Sequence, residues 1–215
     1  MGAGTEMVGR IITSLDCIAE GAEYLARIEP RFAAALELTG PLPLRLRKDG
    51  FGALFGAIVS QQVSVAAADA IWGRLKAARL TGPRKIAGAS DEDLRACGLS
   101  RQKILYGREL AKSGIRFTRL RDQPTQDVID QLVAVPGIGP WTAEIYAMFS
   151  LGRADVFAPG DLALQEAARM LFDLPERPRE KAFRAMAQDW APWRSVAARL
   201  LWAYYGLAKE REGIR

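Results

Sequence analysis

The 215-residue sequence contains no histidine and two cysteines, Cys17 and Cys97. The absence of histidine excludes Ser-His triads, histidine general bases and histidine-ligated zinc. Two distant cysteines do not have the spacing of a metal site, and we expect no disulfide because nothing marks the chain for export. Any acid–base chemistry must therefore come from Asp, Glu, Lys, Tyr or Cys side chains.

The sequence also lacks a long apolar run and an N-terminal leader in which a charged segment precedes an apolar one. A membrane-spanning helix needs about 20 consecutive, mostly apolar residues. A secretory leader needs a basic start followed by an apolar stretch. We therefore expect a cytoplasmic protein with no membrane partner.

Positive charge is concentrated in one part of the chain. The net charge is +5, but residues 74–121 contain 13 Lys and Arg against 4 Asp and Glu, a net +9. A localised basic surface is typical of proteins that bind a polyanion. The alternative is a set of solvated helix faces.

Helical periodicity dominates the sequence, and no segment shows the alternation of a strand between hairpin turns. The breakers "TGPLPLR", "VPGIGP", "FAPGD" and "LPERPRE" separate the apolar stretches. Residues 1–10 and those from 209 onward are expected to fray. The predicted helices cover residues 16–28, 31–38, 51–60, 63–78, 101–113, 126–134, 140–151, 161–172, 179–189 and 193–208, with shorter turns at 84–88 and 91–97.

The segment "VPGIGP" joins two of these helices in a tight hairpin. Gly137 and Gly139 can adopt positive φ and expose backbone N–H groups. Pro140 suits the first turn of the next helix, where an N–H would have no partner. Free amides at a helix N-terminus form an anion site suited to phosphate. The alternative is an ordinary connection between two helices.

A single carboxylate follows in "DVFAPGDLALQEAARM". Asp161 comes directly before a helical stretch, where a capping residue belongs. An aspartate at that position is common, so its place in the sequence alone does not distinguish a cap from a functional group.

Three ordered segments, "LVAVPGIGPWTAEIYAM", "DVFAPGDLAL" and "PWRSVAARLLWAYY", together resemble the helix-hairpin-helix (HhH-GPD) DNA glycosylases, and most closely the 3-methyladenine DNA glycosylase II branch. "IVSQQVSVAAADAIWGRL" resembles early core helices of that family, and the similarity covers about residues 51–206. The resemblance implies an all-α fold, a two-subdomain helical bundle with a DNA cleft between the subdomains. We expect a short helical segment at 1–50, a glycosylase core at 51–208 with its hairpin at about 126–151, and a charged tail at 209–215.

The resemblance places the catalytic carboxylate at Asp161. Cleavage of an N-glycosidic bond builds positive charge on the sugar, which a fixed carboxylate can stabilise while it orients or deprotonates water. By the same resemblance, Gly137, Gly139 and Thr142 grip a DNA phosphate beside the lesion.

The base pocket is assigned by the resemblance to Trp141, Trp202 and Ile145, where Ile145 stands in place of a relative's tyrosine. Indole faces can stack on an electron-poor alkylated base, and core packing is the alternative for either Trp. Gln62 is expected to fill the gap left by the flipped base, and Gln61 to contact the widowed partner base. A solvent-facing polar pair is the alternative for the two glutamines.

The resemblance implies no cofactor for catalysis. It implies a structural monovalent cation, Na⁺ or K⁺, held by the carbonyls of Val133, Val135 and Ile138. Bifunctional relatives carry a Schiff-base lysine where Trp141 stands, and the iron–sulfur relatives carry four clustered cysteines that this chain lacks. The resemblance thus favours a monofunctional enzyme without lyase activity.

The expected function is base-excision repair. The enzyme would flip alkylated purines, such as 3-methyladenine and 7-methylguanine, out of damaged double-stranded DNA and leave an abasic site. We expect a monomer that acts at a bacterial nucleoid. Two alternatives stay open at this point: a glycosylase for deaminated bases (hypoxanthine, uracil), and a non-catalytic helix-hairpin-helix module that binds DNA.

Overall fold

The computed structural model describes residues 8–211, and within that range it confirms the all-α prediction. In these residues the only β pairing is an isolated antiparallel bridge between Ile11 and Arg153. The helices are α1 (Leu15–Ile28), α2 (Pro30–Thr39), α3 (Phe51–Ser60), α4 (Val65–Ala77), α5 (Pro83–Gly88), α6 (Asp91–Ala96), α7 (Arg101–Lys112), α8 (Thr125–Val133), α9 (Pro140–Phe149), α10 (Leu162–Leu171), α11 (Glu180–Met186) and α12 (Arg194–Arg211).

Two short 3-10 helices complete the fold, at Phe117–Asp122 and Ala187–Trp190. The first was not predicted, and the second ends the helix expected at 179–189. Within the part of the chain that the structure describes, no helix is both long enough and apolar enough to cross a membrane.

Residues 8–10 are more ordered than the sequence predicted. Arg153 donates through Nη1 to the carbonyl of Val8 at 2.8 Å, and the Ala154 amide donates to the carbonyl of Arg10 at 3.0 Å. The expected fraying is therefore wrong for residues 8–10, because distant residues bind their backbone. At the other end, α12 continues into the segment expected to fray and ends at residue 211. Residues 1–7 and 212–215, which belong to the same prediction, lie outside the described residues.

Contacts divide the chain into two compact units, which are not consecutive segments. The first unit consists of Met1–Leu46 and Ala147–Arg215, and the second of Arg47–Tyr146. The predicted boundaries at residues 50 and 208 divide the chain into consecutive segments. The contacts instead place the first two helices in one unit with the C-terminal helices. The chain passes from the second unit back to the first within α9.

In the first unit, α12 packs against α1, α2 and α10, and α1 packs against α2. An aromatic cluster lies in its core. Trp190 contacts four phenylalanine rings with centroids 5.2–6.0 Å away, three of them edge-on and one stacked. Such rings bury large apolar areas and prefer these two geometries. The four are Phe32, Phe157, Phe172 and Phe183.

In the second unit, α7 packs against α3, α5 and α6, and α3 also packs against α4. Gly107 on α7 makes room for the ring of Phe55, since a Cβ there would lie 2.7 Å from a ring carbon. Phe55 in turn stacks on Phe51 and meets Trp72 edge-on, with centroids at 5.5 and 5.9 Å. The hairpin between α8 and α9 belongs to this unit.

Candidate active site and hairpin

The two glycines of the hairpin have different structural reasons to be glycine. Gly137 has φ +91°, and a Cβ there would lie 2.4 Å from ring atoms of Tyr106. Gly139 is outside the left-handed region, so of the two only Gly137 uses the positive φ that glycine permits, and a Cβ at 139 would meet no atom within 4 Å. The fold therefore requires glycine at 137, whereas at 139 glycine leaves the surface open to an approaching molecule.

The hairpin presents backbone N–H groups at the start of α9. The amides of Gly137, Gly139 and Thr142 donate to no partner in the part of the chain that the structure describes. The first amides of a helix have no intrahelical acceptor and carry the positive end of its dipole. Thr142 itself is 8% exposed, so the hairpin offers an anion mainly backbone donors.

The predicted glutamine pair lies at the joint between α3 and α4. Gln61 donates through Nε2 to the carbonyl of Gly137 at 2.9 Å. Gln62 is exposed and has φ +56°, a conformation that non-glycine residues seldom adopt. Both side chains line, together with Gly137 and Gly139, a pocket of about 420 Å³. The structure thus brings Gln61 to the hairpin and places Gln62 at a strained, exposed tip.

The C-terminal end of α8 offers backbone oxygens. The carbonyls of Val133 and Ile138 accept no hydrogen bond from the described residues, and that of Val135 accepts one from the Ile138 amide at 3.0 Å. No cluster of three or more metal-ligating side chains occurs among residues 8–211. The hairpin oxygens are neutral, and those of Val133 and Val135 lie at the negative end of the α8 dipole. They therefore suit a hard cation of low charge.

Trp141 and Ile145 lie one turn apart on α9, which places them on the same face of the helix. Trp141 is 46% exposed and Ile145 is partly exposed. Core packing is the alternative for Trp141, and its exposure argues against that alternative. The indole therefore offers an aromatic surface at the start of α9.

Three hydrogen-bond donors converge on one oxygen of Asp161. The residue is the N-cap of α10, and its Oδ1 accepts the amides of Ala163 and Leu164, both at 3.0 Å. The indole Nε1–H of Trp202 donates to the same oxygen at 3.2 Å. Capping by itself needs only the amide contacts. The third donor fixes the carboxylate in a single orientation and ties it to α12.

The loop before Asp161 is also fixed. The Asp161 amide donates to the carbonyl of Ala158 at 3.1 Å, and Gln165 donates through Nε2 to the carbonyl of Pro159 at 2.8 Å. The carboxylate is therefore held at both its side chain and its backbone.

Phe149 and Arg199 support Trp202, and the sequence indicated a role for neither residue. The Phe149 ring lies 5.8 Å from the Trp202 ring, and the Arg199 guanidinium carbon lies 4.7 Å from the Phe149 centroid. Arg199 is 1% exposed. A cation over an aromatic face is attracted to it, more strongly when both are out of water. Sequence periodicity gave no signal for this stack, because a helical arginine is expected on the surface.

Arg199 is a buried cation held mainly by neutral oxygens. Its Nη1 donates to the Ser195 carbonyl at 2.8 Å and to the Ser195 hydroxyl at 3.0 Å, and its Nη2 donates to the Leu44 carbonyl at 3.3 Å. Burial, and secondarily the charge of Arg45, lower its pKa to about 10. The side chain is therefore still charged at neutral pH.

An all-α fold over residues 8–211, a glycine hairpin with free amides and a fixed carboxylate define a protein of the helix-hairpin-helix class. Comparison with known families agrees. The chain belongs to the family described as HhH-GPD superfamily base excision DNA repair protein, whose model matches residues 55–192.

Individual relatives extend the comparison over nearly the whole chain. The chain is 30% identical over 217 residues to DNA-3-methyladenine glycosylase 1 of Schizosaccharomyces pombe, which covers 95% of this chain and 94% of that protein. It resembles the crystal structure of a DNA-3-methyladenine glycosidase from Bacillus halodurans with TM-score 0.81 and 36% identity, covering 88% of this chain and 91% of that one. It also resembles the Schizosaccharomyces pombe 3-methyladenine DNA glycosylase in complex with abasic DNA, with TM-score 0.72 and 29% identity, covering 85% and 95%.

The two hairpin glycines should respond differently to alanine. Gly137→Ala should destabilise the fold by about 1–3 kcal/mol, because it strains a left-handed residue and collides with Tyr106. Gly139→Ala should leave the free energy of unfolding unchanged or raise it by up to about 1 kcal/mol. Urea unfolding of both variants measures this difference. Equal destabilisation by both would contradict the distinct roles given to the two glycines.

Proposed function

We propose that the chain is a monofunctional DNA glycosylase of base-excision repair, which releases alkylated purines such as 3-methyladenine and 7-methylguanine and leaves an abasic site. The observation that carries the proposal is the Asp161 carboxylate, oriented by three hydrogen bonds in a chain of the HhH-GPD family. The three relatives described above are named as 3-methyladenine glycosylases or glycosidases, which supports the substrate class.

The reaction exchanges one bond for another at the sugar. The bond between C1′ and the base nitrogen breaks, and its electron pair leaves with the base. The sugar then carries positive charge, which the negative Asp161 stabilises. Water adds to C1′ and gives up a proton, for which the carboxylate is the acceptor. Alkylation makes the purine cationic, so the base leaves without a dedicated general acid.

We assign the substrate contacts to Trp141, Ile145 and Trp202. Trp141 offers an indole face on α9, and a cationic base stacked on it would gain about 0.5–2 kcal/mol. Ile145 lies on the same face and adds an apolar contact. Trp202 orients Asp161, and its indole face gives a second aromatic contact. Recognition by stacking suits electron-poor alkylated bases, whereas neutral deaminated bases would require specific hydrogen bonds.

DNA binding falls to the hairpin and the glutamine joint. The amides of Gly137, Gly139 and Thr142 would receive a phosphate of double-stranded DNA, which positions the strand without reading its sequence. Gln62, at its strained and exposed tip, would occupy the gap left by a flipped base, and Gln61 would contact the partner base. Gln61 can do this because its amide oxygen and second N–H are not used in the bond to Gly137.

We also propose that the carbonyls of Val133, Val135 and Ile138 hold Na⁺ or K⁺ as a structural ion. The two carbonyls without a hydrogen-bond partner support this assignment. The cation would neutralise the end of α8 and add positive charge beside the phosphate-binding amides. It supplies no chemistry to the reaction, for which we propose no other cofactor.

Asp161→Asn should bind lesion DNA but release base about 10²–10³ times more slowly. The amide oxygen keeps all three hydrogen bonds, so the fold should survive, but the negative charge is lost. The loss should be smaller for 7-methylguanine, whose charge already weakens the bond, than for hypoxanthine. Single-turnover excision from duplexes with one defined lesion measures the effect.

Asp173→Asn is the matched control. Asp173 is exposed, lies in the same unit and has φ +52°, a backbone conformation that asparagine also tolerates. It should excise at the wild-type rate. If Asp161→Asn matches it on every lesion, Asp161 is a helix cap alone and the proposed mechanism fails.

Treated duplex should keep an intact strand until alkali is added. Trp141 has no amine with which to attack the sugar, so no Schiff base should form at that position. Denaturing gels before and after alkali, with a parallel borohydride trapping reaction, measure this outcome. A nick without alkali, or a trapped covalent complex, would refute the monofunctional assignment.

Duplex binding and thermal stability should both depend on a small monovalent cation. Replacing KCl or NaCl by choline chloride at constant ionic strength should lower the melting temperature and weaken binding, because a bulky cation cannot reach the carbonyls. EDTA should change neither quantity. Identical melting curves and affinities in all three salts would rule out the ion site.

A further inference from the structure

A second groove lies in the Arg47–Tyr146 unit, next to the hairpin. It has a volume of about 590 Å³. Its wall runs from the end of α7 through the 3-10 helix at Phe117–Asp122 to the start of the hairpin, and includes Val135 and Pro136. The groove is therefore continuous with the segment that presents the phosphate-binding amides.

Three basic side chains line this groove: Lys112, Arg116 and Arg119. All three are exposed, and none forms an ion pair or a side-chain hydrogen bond with the described residues. Glu109 is the one carboxylate among the described residues that line the groove, whose charged side chains thus sum to +2. The groove is concave and positive, and its basic groups are uncommitted.

Several other basic residues between positions 74 and 121 already have partners within the protein. Arg74 donates to the Cys97 carbonyl at 2.9 Å, Arg108 pairs with Asp91, and Arg121 pairs with Asp49 at 2.8 Å. A solvated surface would explain free cations scattered over a convex face. It does not explain why three uncommitted cations share one concavity with the hairpin.

We propose that this groove is a second binding site for the backbone of duplex DNA, in which Lys112, Arg116 and Arg119 neutralise phosphates that flank the one held by the hairpin. The inference rests on the proposed function and adds to it the path of the strand. Lysine and arginine suit this task, because they bind phosphate strongly without distinguishing bases. Gln123 and Gln131, joined by a 2.8 Å hydrogen bond, add neutral polar surface to the same wall.

A salt titration with matched triple variants tests the proposal. The groove variant is Lys112→Gln/Arg116→Gln/Arg119→Gln. The control variant, Lys76→Gln/Arg84→Gln/Lys85→Gln, removes the same charge from exposed positions of the same unit that line neither groove. The slope of log K against log salt on undamaged duplex should become shallower by about 0.9 for each lost phosphate contact, up to three contacts. The slope of the control variant should differ from the wild-type slope by less than half of the change expected for one lost phosphate contact. Equal slopes for the two variants would overturn the proposal.

A phosphate scan separates direct contact from a general loss of charge. Duplexes carry a neutral methylphosphonate at one backbone position at a time. Wild type and control should lose affinity at the hairpin phosphate and at flanking phosphates, whereas the groove variant should lose its sensitivity at flanking positions alone. A groove variant with the wild-type pattern of sensitive positions would overturn the proposal. The double variant Arg116→Lys/Arg119→Lys keeps the charge and should retain both the wild-type salt slope and the wild-type pattern of sensitive phosphates. It checks that substitution at these positions does not itself cause a folding defect.

The two proposals fail in different ways. If wild type binds duplex with the predicted slopes but releases no base from any lesion, the glycosylase function is wrong and the groove assignment stands. If wild type releases alkylated base and the groove variant binds like the control, the groove assignment is wrong and the function stands.

Discussion

Convergence of three donors on Oδ1 of Asp161 is the constraint on which the candidate chemistry depends. Two of the donors belong to the first turn of α10, so helix formation itself sets the position of the carboxylate. The third comes from Trp202 on α12 and fixes the rotation of the group. A preorganised charge stabilises a developing cation without reorganising during the reaction. Packing of α10 against α12 is thus part of the proposed mechanism.

Phe149 and Arg199 hold Trp202 in place on the side away from the carboxylate. Trp202 lies against Phe149, and Phe149 lies beneath the guanidinium of Arg199. Burying a cation without a carboxylate partner is costly. Here the oxygens of Ser195 and Leu44 and an aromatic face offset that cost. A buried charge in this position restricts the ring beneath it, which keeps the indole donor aligned.

The backbone sets the geometry of the hairpin, just as hydrogen-bond donors set the orientation of the carboxylate. Gly137 is needed for the turn itself, and Tyr106 lies where any side chain would go. A Cβ at Gly139 would meet no atom of the protein within 4 Å, so glycine at this position leaves space for a molecule that approaches from outside. Beside it, the uncommitted cations of the groove provide charge that the backbone amides lack. In the proposed complex the neutral amides would give orientation and the flanking cations affinity, a division typical of binding to a polyanion.

The sequence alone determined the helical fold, the ends of most helices and the hairpin, because periodicity, caps and Gly/Pro breakers act within a few residues of one another. Phe51–Ser60 was predicted to the residue, and α10 begins one residue after the predicted start because Asp161 is its cap. The order of motifs was also enough to indicate the family. Tertiary structure decided that Trp202 binds Asp161, that Gln61 binds the hairpin, that residues 8–10 are held in place and that Arg199 is buried. These contacts join residues that are 41 to 155 positions apart. Local propensity carries no information about such pairs, since only the packing of whole helices brings them together.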